Sequence, residues 1–555
     1  MKRNGEMDMG LNCPSCGGKL FFDIGKQVLK CGYCSQEFSV EEYRQNNEGE
    51  TQQVTYDTVV YTCRNCGAEL TAPDEQTVAY CSYCGSEQML SAKHEQLLRP
   101  KKIIPFKKTK REAKTQYAEA LKGKLYVPKE FKDPQFLEGF RGIYLPYYSY
   151  SAMVPEKDIF LRGHAHYTKS GYDYDEDYDV YASLGGHSQD VNFDASAAFD
   201  DTLANEIAPF QAKDMTDFHE GYLAGLYADK ATTSGATYIE AVEDLAIDSI
   251  YDEIEKQTPK VKVDRPGTKE MKKAELGITA IDCEVSLFPV WFLTWRNKKR
   301  VAYSVMNGQT GKMTTDIPVN KKLFFLISLA AAAVIFIILS ILPIFLVPKT
   351  LCSIAAIILL ISSILLHKEL KRIYERESHI YDYGDTQHKA KKKKMKAQQA
   401  KGVVPSQKKS SNTSNQKSLR WIAWIAPCGY LLLWIIYAFI NGFSFLHTFL
   451  SGKYAVVFAL VLPAQLVFSI FTIINAVRVT RKTAIIPAII APLVLIGGLV
   501  VAAFNSPYDY WYYGTALACL VALILNALSA INYFNYLTTR PVPNFFRREG
   551  ADNAK

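Results

Sequence analysis

The residues best suited to chemistry are eight cysteines in four pairs: Cys13 and Cys16, Cys31 and Cys34, Cys63 and Cys66, Cys81 and Cys84. Each pair is a C-x2-C, fourteen residues separate the two pairs of each half, and adding 50 to every cysteine of the first half gives the second. The same offset carries Gly17 onto Gly67, Leu20 onto Leu70, Val28 onto Val78 and Tyr33 onto Tyr83, so fold positions repeat along with the sulfurs. Two thiolate pairs at the ends of a short hairpin match the four tetrahedral ligands of Zn2+. Twenty-odd residues bury little apolar surface, whereas a structural site contributes on the order of 10 kcal/mol to folding at neutral pH. The expectation is two tandem zinc ribbons, over residues 11–40 and 60–92, each closing one structural Zn2+. Disulfides are the competing reading; no secretory signal precedes the cysteines, and the topology argued below places them in a reducing compartment.

Other constellations carry less. Asp173, Asp175, Asp177 and Asp179 suggest a calcium loop, but an EF-hand needs Gly at its sixth position and Glu at its twelfth, where Tyr178 and Leu184 stand. A solvated acidic turn is expected instead. His164 and His166 share a face if their segment is a strand, with no carboxylate at a diagnostic spacing, so they read as surface residues. Asn307 to Lys312 (NGQTGK) has two residues between its glycines and Met313 after the lysine, which rules out a P-loop. G-x-S-x-G, H-E-x-x-H and G-x-G-x-x-G are absent, and the chain reads as non-enzymatic, with no catalytic residue to name. Cys283, Cys352, Cys428 and Cys519 are expected to be buried small hydrophobes.

The elements that must hold these sites differ sharply along the 555 residues. A basic connector follows the ribbons, and Thr109 with Glu112 forms a capping box before a short amphipathic helix. Residues 139–200 are aromatic and strand-like, Val242, Leu245, Ala246 and Ile250 lie at helical spacing, and Phe288 to Met306 reads as two strands, with a tight hairpin at Asn307-Gly308. Residues 100–320 therefore form an α+β domain rich in strands. From Leu323 the chain turns apolar. Leu323 to Leu342 and Leu351 to Leu366 form a transmembrane hairpin (323–366), and Trp421 to Ile440, Tyr454 to Val477, Ala484 to Phe504 and Gly514 to Phe534 form a four-span block (421–536), giving six spans.

Charge decides orientation. The net charge is +8, yet residues 367–420 alone carry 15 Lys or Arg against 5 Asp or Glu, and residues 11–90 carry 5 against 11. This basic, partly disordered linker, the stretch Arg478 to Lys482 and the tail (537–555) face one side; the opposite loops hold two lysines and no arginine. The positive-inside rule then puts both termini, the ribbons and the β-rich domain in the cytoplasm of a multi-pass cell-membrane protein. Lysines at 389–396 beside the membrane suit anionic lipid. None of the six spans carries an ionisable residue in its apolar centre, which disfavours ion-coupled transport. Asn526, Ser529 and Asn532 lie near one face of the last span and are read as helix packing.

The chain resembles a bacterial, mostly Firmicute, family of membrane proteins with TFIIB-type zinc ribbons. The likeness rests on the paired ribbons, on IIPF at Ile103 to Phe106, GIYLPYYSY at Gly142 to Tyr150, the segment from Ala208 to Lys230, and FPVWFLTWRNKKRVAYSVMNGQTGK at Phe288 to Lys312. The resemblance implies a largely uncharacterised protein found beside phage-shock-protein-A-like and SPFH-like membrane proteins, and so envelope stress or membrane organisation. The expected role is a cytoplasmic-face adaptor recruiting protein partners to the membrane. A membrane-tethered nucleic-acid binder and a channel or carrier built from the last four spans are the alternatives; the acidic ribbons count against nucleic acid, whose phosphates are held by Lys and Arg.

Overall fold

The computed structural model describes residues 11–47, 54–72, 81–86, 91–169, 172–187, 191–196, 199–258, 260–278, 280–341, 347–377, 454–479, 482–504 and 507–545. The first ribbon is a small antiparallel sheet of β1 (Leu20–Asp23), β2 (Val28–Cys31) and β3 (Glu37–Phe38), followed by α1 (Val40–Asn47). The second ribbon does not form a separate module. Its strands β4 (Thr55–Thr62), β5 (Glu69–Ala72) and β6 (Ser91–Leu98) belong to the large sheet of the β-rich domain, ordered β11-β7-β14-β8-β12-β5-β4-β6. Here β7 is Lys102–Ile103, β8 Arg141–Lys169, β11 Thr216–Asp217, β12 Tyr227–Asp229 and β14 Ala280–Asn297.

The long β8 is the spine of this sheet. GIYLPYYSY lies at its start, where Tyr144 and Tyr150 are fully buried. Phe106, from IIPF, packs edge-on against Tyr144 at 5.0 Å and Trp291 at 5.3 Å. Helix α2 (Lys110–Leu121) opens with the expected box, Glu112 N bonding Thr109 Oγ1 at 3.3 Å and Thr109 N bonding Glu112 Oε2 at 2.8 Å, and buries Ala113 and Tyr117 on the same core. A four-residue helix, α3 (Pro134–Leu137), follows. Further along, β8 pairs with β9 (Tyr172–His187), β10 (Val191–Asp194) and β13 (Lys262–Val263). Helices α5 (Ile239–Gln257) and α6 (Lys269–Leu276) cover one face of the β8–β9 hairpin, burying Ile159, Leu161 and Val180; α4 (Asp201–Ile207) covers β15 (Arg300–Asn307).

The acidic run corrects one expectation. Asp173, Asp175, Asp177 and Asp179 lie in β9, not in a turn, opposite Thr168, His166, His164 and Arg162 of β8. The aspartates recur at the two-residue period of a strand and share one face, and residues 172–179 are exposed throughout. His164 and His166 are exposed on that face, 3.1 Å from Asp264 and 2.7 Å from Asp175. The turn after β15 is also longer than a tight hairpin: β16 (Met313–Thr315) pairs back only after Lys312, because Asn307 is buried and its Oδ1 accepts the Gln309 and Thr310 amides at 2.9 Å. Cys283 is exposed, against expectation, while Cys352 and Cys519 are buried; Cys428 lies outside the described residues.

Among the described residues, five helices are long and apolar enough to cross a membrane: α7 (Lys321–Ile341), α8 (Pro348–Glu377), α9 (Tyr454–Arg478), α10 (Ile485–Phe504) and α11 (Asp509–Leu537). The sixth expected span, Trp421 to Ile440, and the lysines at 389–396 lie outside the described residues. Helix α8 runs past Leu366 to Glu377, its last turns carrying the start of the basic stretch. Helices α8 to α11 pack together with distinct ends. Cys352, Phe458, Ala502 and Tyr512 cluster at one, and Leu370, Ala476, Ala484 and Tyr533 at the other. Between them Asn526 bonds Ser362 and Ser363 of α8, both at 2.9 Å, and Gln465 of α9 bonds Ser363 at 2.9 Å. Ser529 is half-buried and Asn532 exposed, so Asn526 is the seam residue that ties helices together.

Candidate metal centres

All eight predicted ligands fall into two clusters: Cys13, Cys16, Cys31 and Cys34, and Cys63, Cys66, Cys81 and Cys84. Within each, the sulfurs all lie within 4.8 Å of one another. Cys13 and Cys34 Sγ are 3.6 Å apart and Cys16 and Cys31 3.5 Å; in the second cluster the matching pairs, Cys63–Cys84 and Cys66–Cys81, are both 3.7 Å. Ligands about 2.3 Å from a tetrahedral centre have edges of about 3.8 Å, so both cages fit one four-coordinate ion. All eight thiols are free of disulfides.

Local backbone geometry explains the fit. Each C-x2-C curls so that the amide after it bonds back to the first cysteine: Gly17 N to Cys13 O, Ser35 N to Cys31 O, Gly67 N to Cys63 O and Gly85 N to Cys81 O, at 2.7–3.1 Å. The residue closing each curl has a positive φ, from 61° at Ser35 to 76° at Gly67, which is why three of the four are glycine. Amides also aim at sulfur, Gly18 N at Cys16 Sγ and Tyr33 N at Cys31 Sγ, both 3.4 Å. In the second cage hydrogen bonds from the neighbouring thiols hold the Cys84 thiol far below its usual range and push Cys81 far above it.

The two cages differ in setting. In the first, Cys16 and Cys34 are exposed; in the second all four cysteines are buried. The sheet grips the second through residues of FPVWFLTWRNKKRVAYSVMNGQTGK. Thr294 Oγ1 donates to Ser82 O, Arg296 Nη1 to Cys84 O at 3.3 Å, and Tyr303 OH to Tyr83 O at 2.6 Å. Asn65 Nδ2 reaches Cys84 Sγ at 3.4 Å. From the segment ending at Lys230, the buried Asp229 accepts from Tyr83 OH at 2.5 Å, from Ser196 Oγ and from Lys230 N at 2.8 Å, while Lys230 Nζ pairs with Glu69 and Glu95, each at 3.4 Å.

Burial pushes the Asp229 carboxyl up to about 6 despite these three donors. Unfolded, it would titrate near 3.9. The folded chain thus holds the extra proton between those values, and this group's contribution to stability falls as pH rises through them. We expect about 1 kcal/mol of stability to be lost from pH 5 to pH 7 on this account. Urea midpoints at the two pH values, compared between wild type and Asp229→Asn, measure it; an unchanged difference in the variant would assign the dependence to other groups.

The C-terminal tail is the element that no local sequence signal announced. After α11 the chain returns to the β-rich domain as β17 (Arg540–Pro541), pairing with β15, and Val542 N bonds Lys299 O at 3.0 Å. Phe545 N then bonds Cys66 O at 2.7 Å, and its ring meets Tyr83 edge-on at 6.0 Å. Arg540 lies between Asp200, at 2.8 Å, and Asp316. Arg300 stacks over Tyr536 at 4.2 Å and donates to Tyr536 O and Thr539 O, and Arg376 of α8 also donates to Tyr536 O and Leu537 O. Cage, sheet and helix bundle are therefore one connected structure along this strap.

The chain is similar to the uncharacterized protein YdjG of Bacillus subtilis (strain 168), with 24% identity over 325 residues, covering 57% of this chain and 92% of that protein. No protein-family model matches the chain, and no solved structure matches it.

Proposed function

We propose that the chain is a non-enzymatic adaptor of the cell membrane: each four-cysteine cage holds one structural Zn2+, and the ribbons and β-rich domain recruit protein partners at the cytoplasmic face. The observation that carries this reading is the contrast between the cages. One is sealed into the sheet, while the other stands with two ligands and an aromatic side chain in solvent on a domain strapped to a helix bundle. Cysteine thiolates in a closed tetrahedron suit a structural zinc that leaves no coordination position for a substrate. The TFIIB-type ribbon and envelope-stress associations belong to the resemblance and extend the proposal to partners of the phage-shock-protein-A or SPFH kind.

Six crossings and cytoplasmic termini complete the reading. Helix α8 ends beside Tyr536 on the side of the soluble domain, whereas α9 begins at the opposite end of the bundle. A single crossing between residues 377 and 454 fits this arrangement, and Trp421 to Ile440 has the length and apolarity for it.

Co-purification from detergent-solubilised membranes provides the test. Wild type should bring down a protein set that Cys13→Ser combined with Cys63→Ser loses, with chain levels matched by blotting. A partner set indifferent to the loss of both sites would overturn the adaptor role. Salt-sensitive, submicromolar nucleic-acid binding would replace it with a nucleic-acid one.

A further inference from the structure

The internal repeat allows one ribbon to serve as a template for the other. In the second ribbon, the tyrosine of the last knuckle, Tyr83, is 1% exposed: Phe292 of β14 and Phe545 of the tail meet its ring edge-on, at 5.6 Å and 6.0 Å. The tail reaches this knuckle four residues after the short strand β17 and places the Phe545 amide on the Cys66 carbonyl. Fifty residues earlier the same positions are Tyr33 and Cys16. Tyr33 is 87% exposed. The Cys16 carbonyl receives no hydrogen bond from any described residue, and the Cys16 and Cys34 side chains face solvent. Phe21, itself partly exposed, lies 3.8 Å from where a Cβ on Gly32 would be, next to Tyr33.

The ribbon is anchored by its other side. Phe22 N bonds Ala224 O at 2.9 Å, and the Phe22 ring meets Tyr222 at 5.4 Å, so the knuckle face is held outward. Four thiolates around a divalent ion leave two formal negative charges at that surface, which favour amide and cationic donors. The second cage illustrates such donors in Asn65 and Arg296.

We propose that the knuckle face of the first ribbon, formed by Cys16, Phe21, Tyr33 and Cys34, binds an extended, basic segment of a partner protein bearing an aromatic side chain. The segment docks as the chain's own tail docks on the second ribbon. Its amide bonds the Cys16 carbonyl, its aromatic ring packs on Tyr33, and its cationic residues lie beside the thiolate cluster. This inference rests on the adaptor reading and gives it a ligand chemistry. Tyrosine is a frequent anchor at protein interfaces because it brings large area with little rotamer entropy.

The test uses the full-length, zinc-loaded chain in detergent and a fluorescent peptide with the sequence of residues 540–548 (RPVPNFFRR), at physiological salt. Saturable binding is expected by anisotropy. Tyr33→Ala should weaken it by about tenfold, the cost of an aromatic anchor, with two zinc ions per chain retained, and a peptide with both phenylalanines changed to alanine should lose as much. Equal affinity for Tyr33→Ala, equal affinity for the phenylalanine-free peptide, or no binding would each overturn the proposal. If the peptide fails while co-purifying partners still depend on the first metal site, this ligand chemistry falls and the adaptor reading stands. If partners ignore both metal sites, the adaptor reading falls whatever the peptide does.

Discussion

Changing Cys66 to serine should abolish metal binding at the second site and loosen the β-rich domain, whereas Cys16→Ser, its equivalent in the repeat, should abolish binding at the first site and leave that domain folded. Both variants lose one of two ions, so elemental analysis should read one zinc per chain in each. Thermal unfolding should separate them. The second cage is buried against Phe288, Phe292, Tyr303 and α4 within one apolar cluster, and its backbone carbonyls satisfy Thr294, Arg296, Tyr303 and Phe545. Removing the ion leaves three buried thiols without their counter-charge and releases those four donors. A structural zinc contributes on the order of 10 kcal/mol, comparable with the whole stability of a typical domain, so a loss of even half should lower the midpoint by at least about 10 °C. The first cage has two exposed ligands and its own three-stranded sheet; its loss should move the domain's midpoint by no more than a few degrees. Equal shifts in the two variants, or two zinc ions retained in either, would refute the division into a sealed and a displayed site.

That division shows where sequence reasoning reaches its limit. The grouping of the eight cysteines into two four-sulfur cages was legible, because such knuckles are local: two cysteines three apart and a residue of positive φ after them set the geometry within five residues. The Thr109–Glu112 box was legible for the same reason. The repeat made the ribbons look equivalent, since nothing in the fifty-residue offset says which copy a sheet will cover. Tyr33 and Tyr83 are the same letter in the same motif, and only long-range packing separates them. The acidic run misled through its composition: aspartate is poor in strands on average, but here β8 supplies a paired register and the whole run stays exposed to water. Cys283 misled through the burial habit of cysteine: its sulfur lies 2.9 Å from where a Cβ on Gly235 would be, yet the residue is left exposed. The tail strap had no local signature at all. Its central arginine finds carboxylates 340 and 224 residues away, and no periodicity encodes a pair so remote.

The strap supplies the second large effect. Burial works against the Arg540 charge, and the carboxylates of Asp200 and Asp316 more than restore it, holding its pKa above the usual arginine value. Arg540→Ala leaves those two acids half-buried without a partner, and breaking a buried pair from one side costs about 3–5 kcal/mol. Arg540→Met keeps the bulk and still strands both acids, so it should be nearly as damaging. Arg540→Met combined with Asp200→Asn and Asp316→Asn removes the charges together and should recover most of the loss, since a neutral replacement of a buried ion cluster is often close to neutral. Hydrogen exchange gives the positional readout. The Val542 and Phe545 amides, bonded to Lys299 O and Cys66 O, should lose protection in Arg540→Ala, and exchange should rise around the Cys63–Cys66 knuckle while the Cys13–Cys16 knuckle is unaffected. Were the tail amides to stay protected, the pairing of β17 with β15 and the Arg300–Tyr536 stack would suffice to hold the strap, and the ion cluster would be incidental. Were both knuckles to respond alike, the coupling would run through the whole domain rather than along the strap that joins the last apolar helix to the sealed four-cysteine cage.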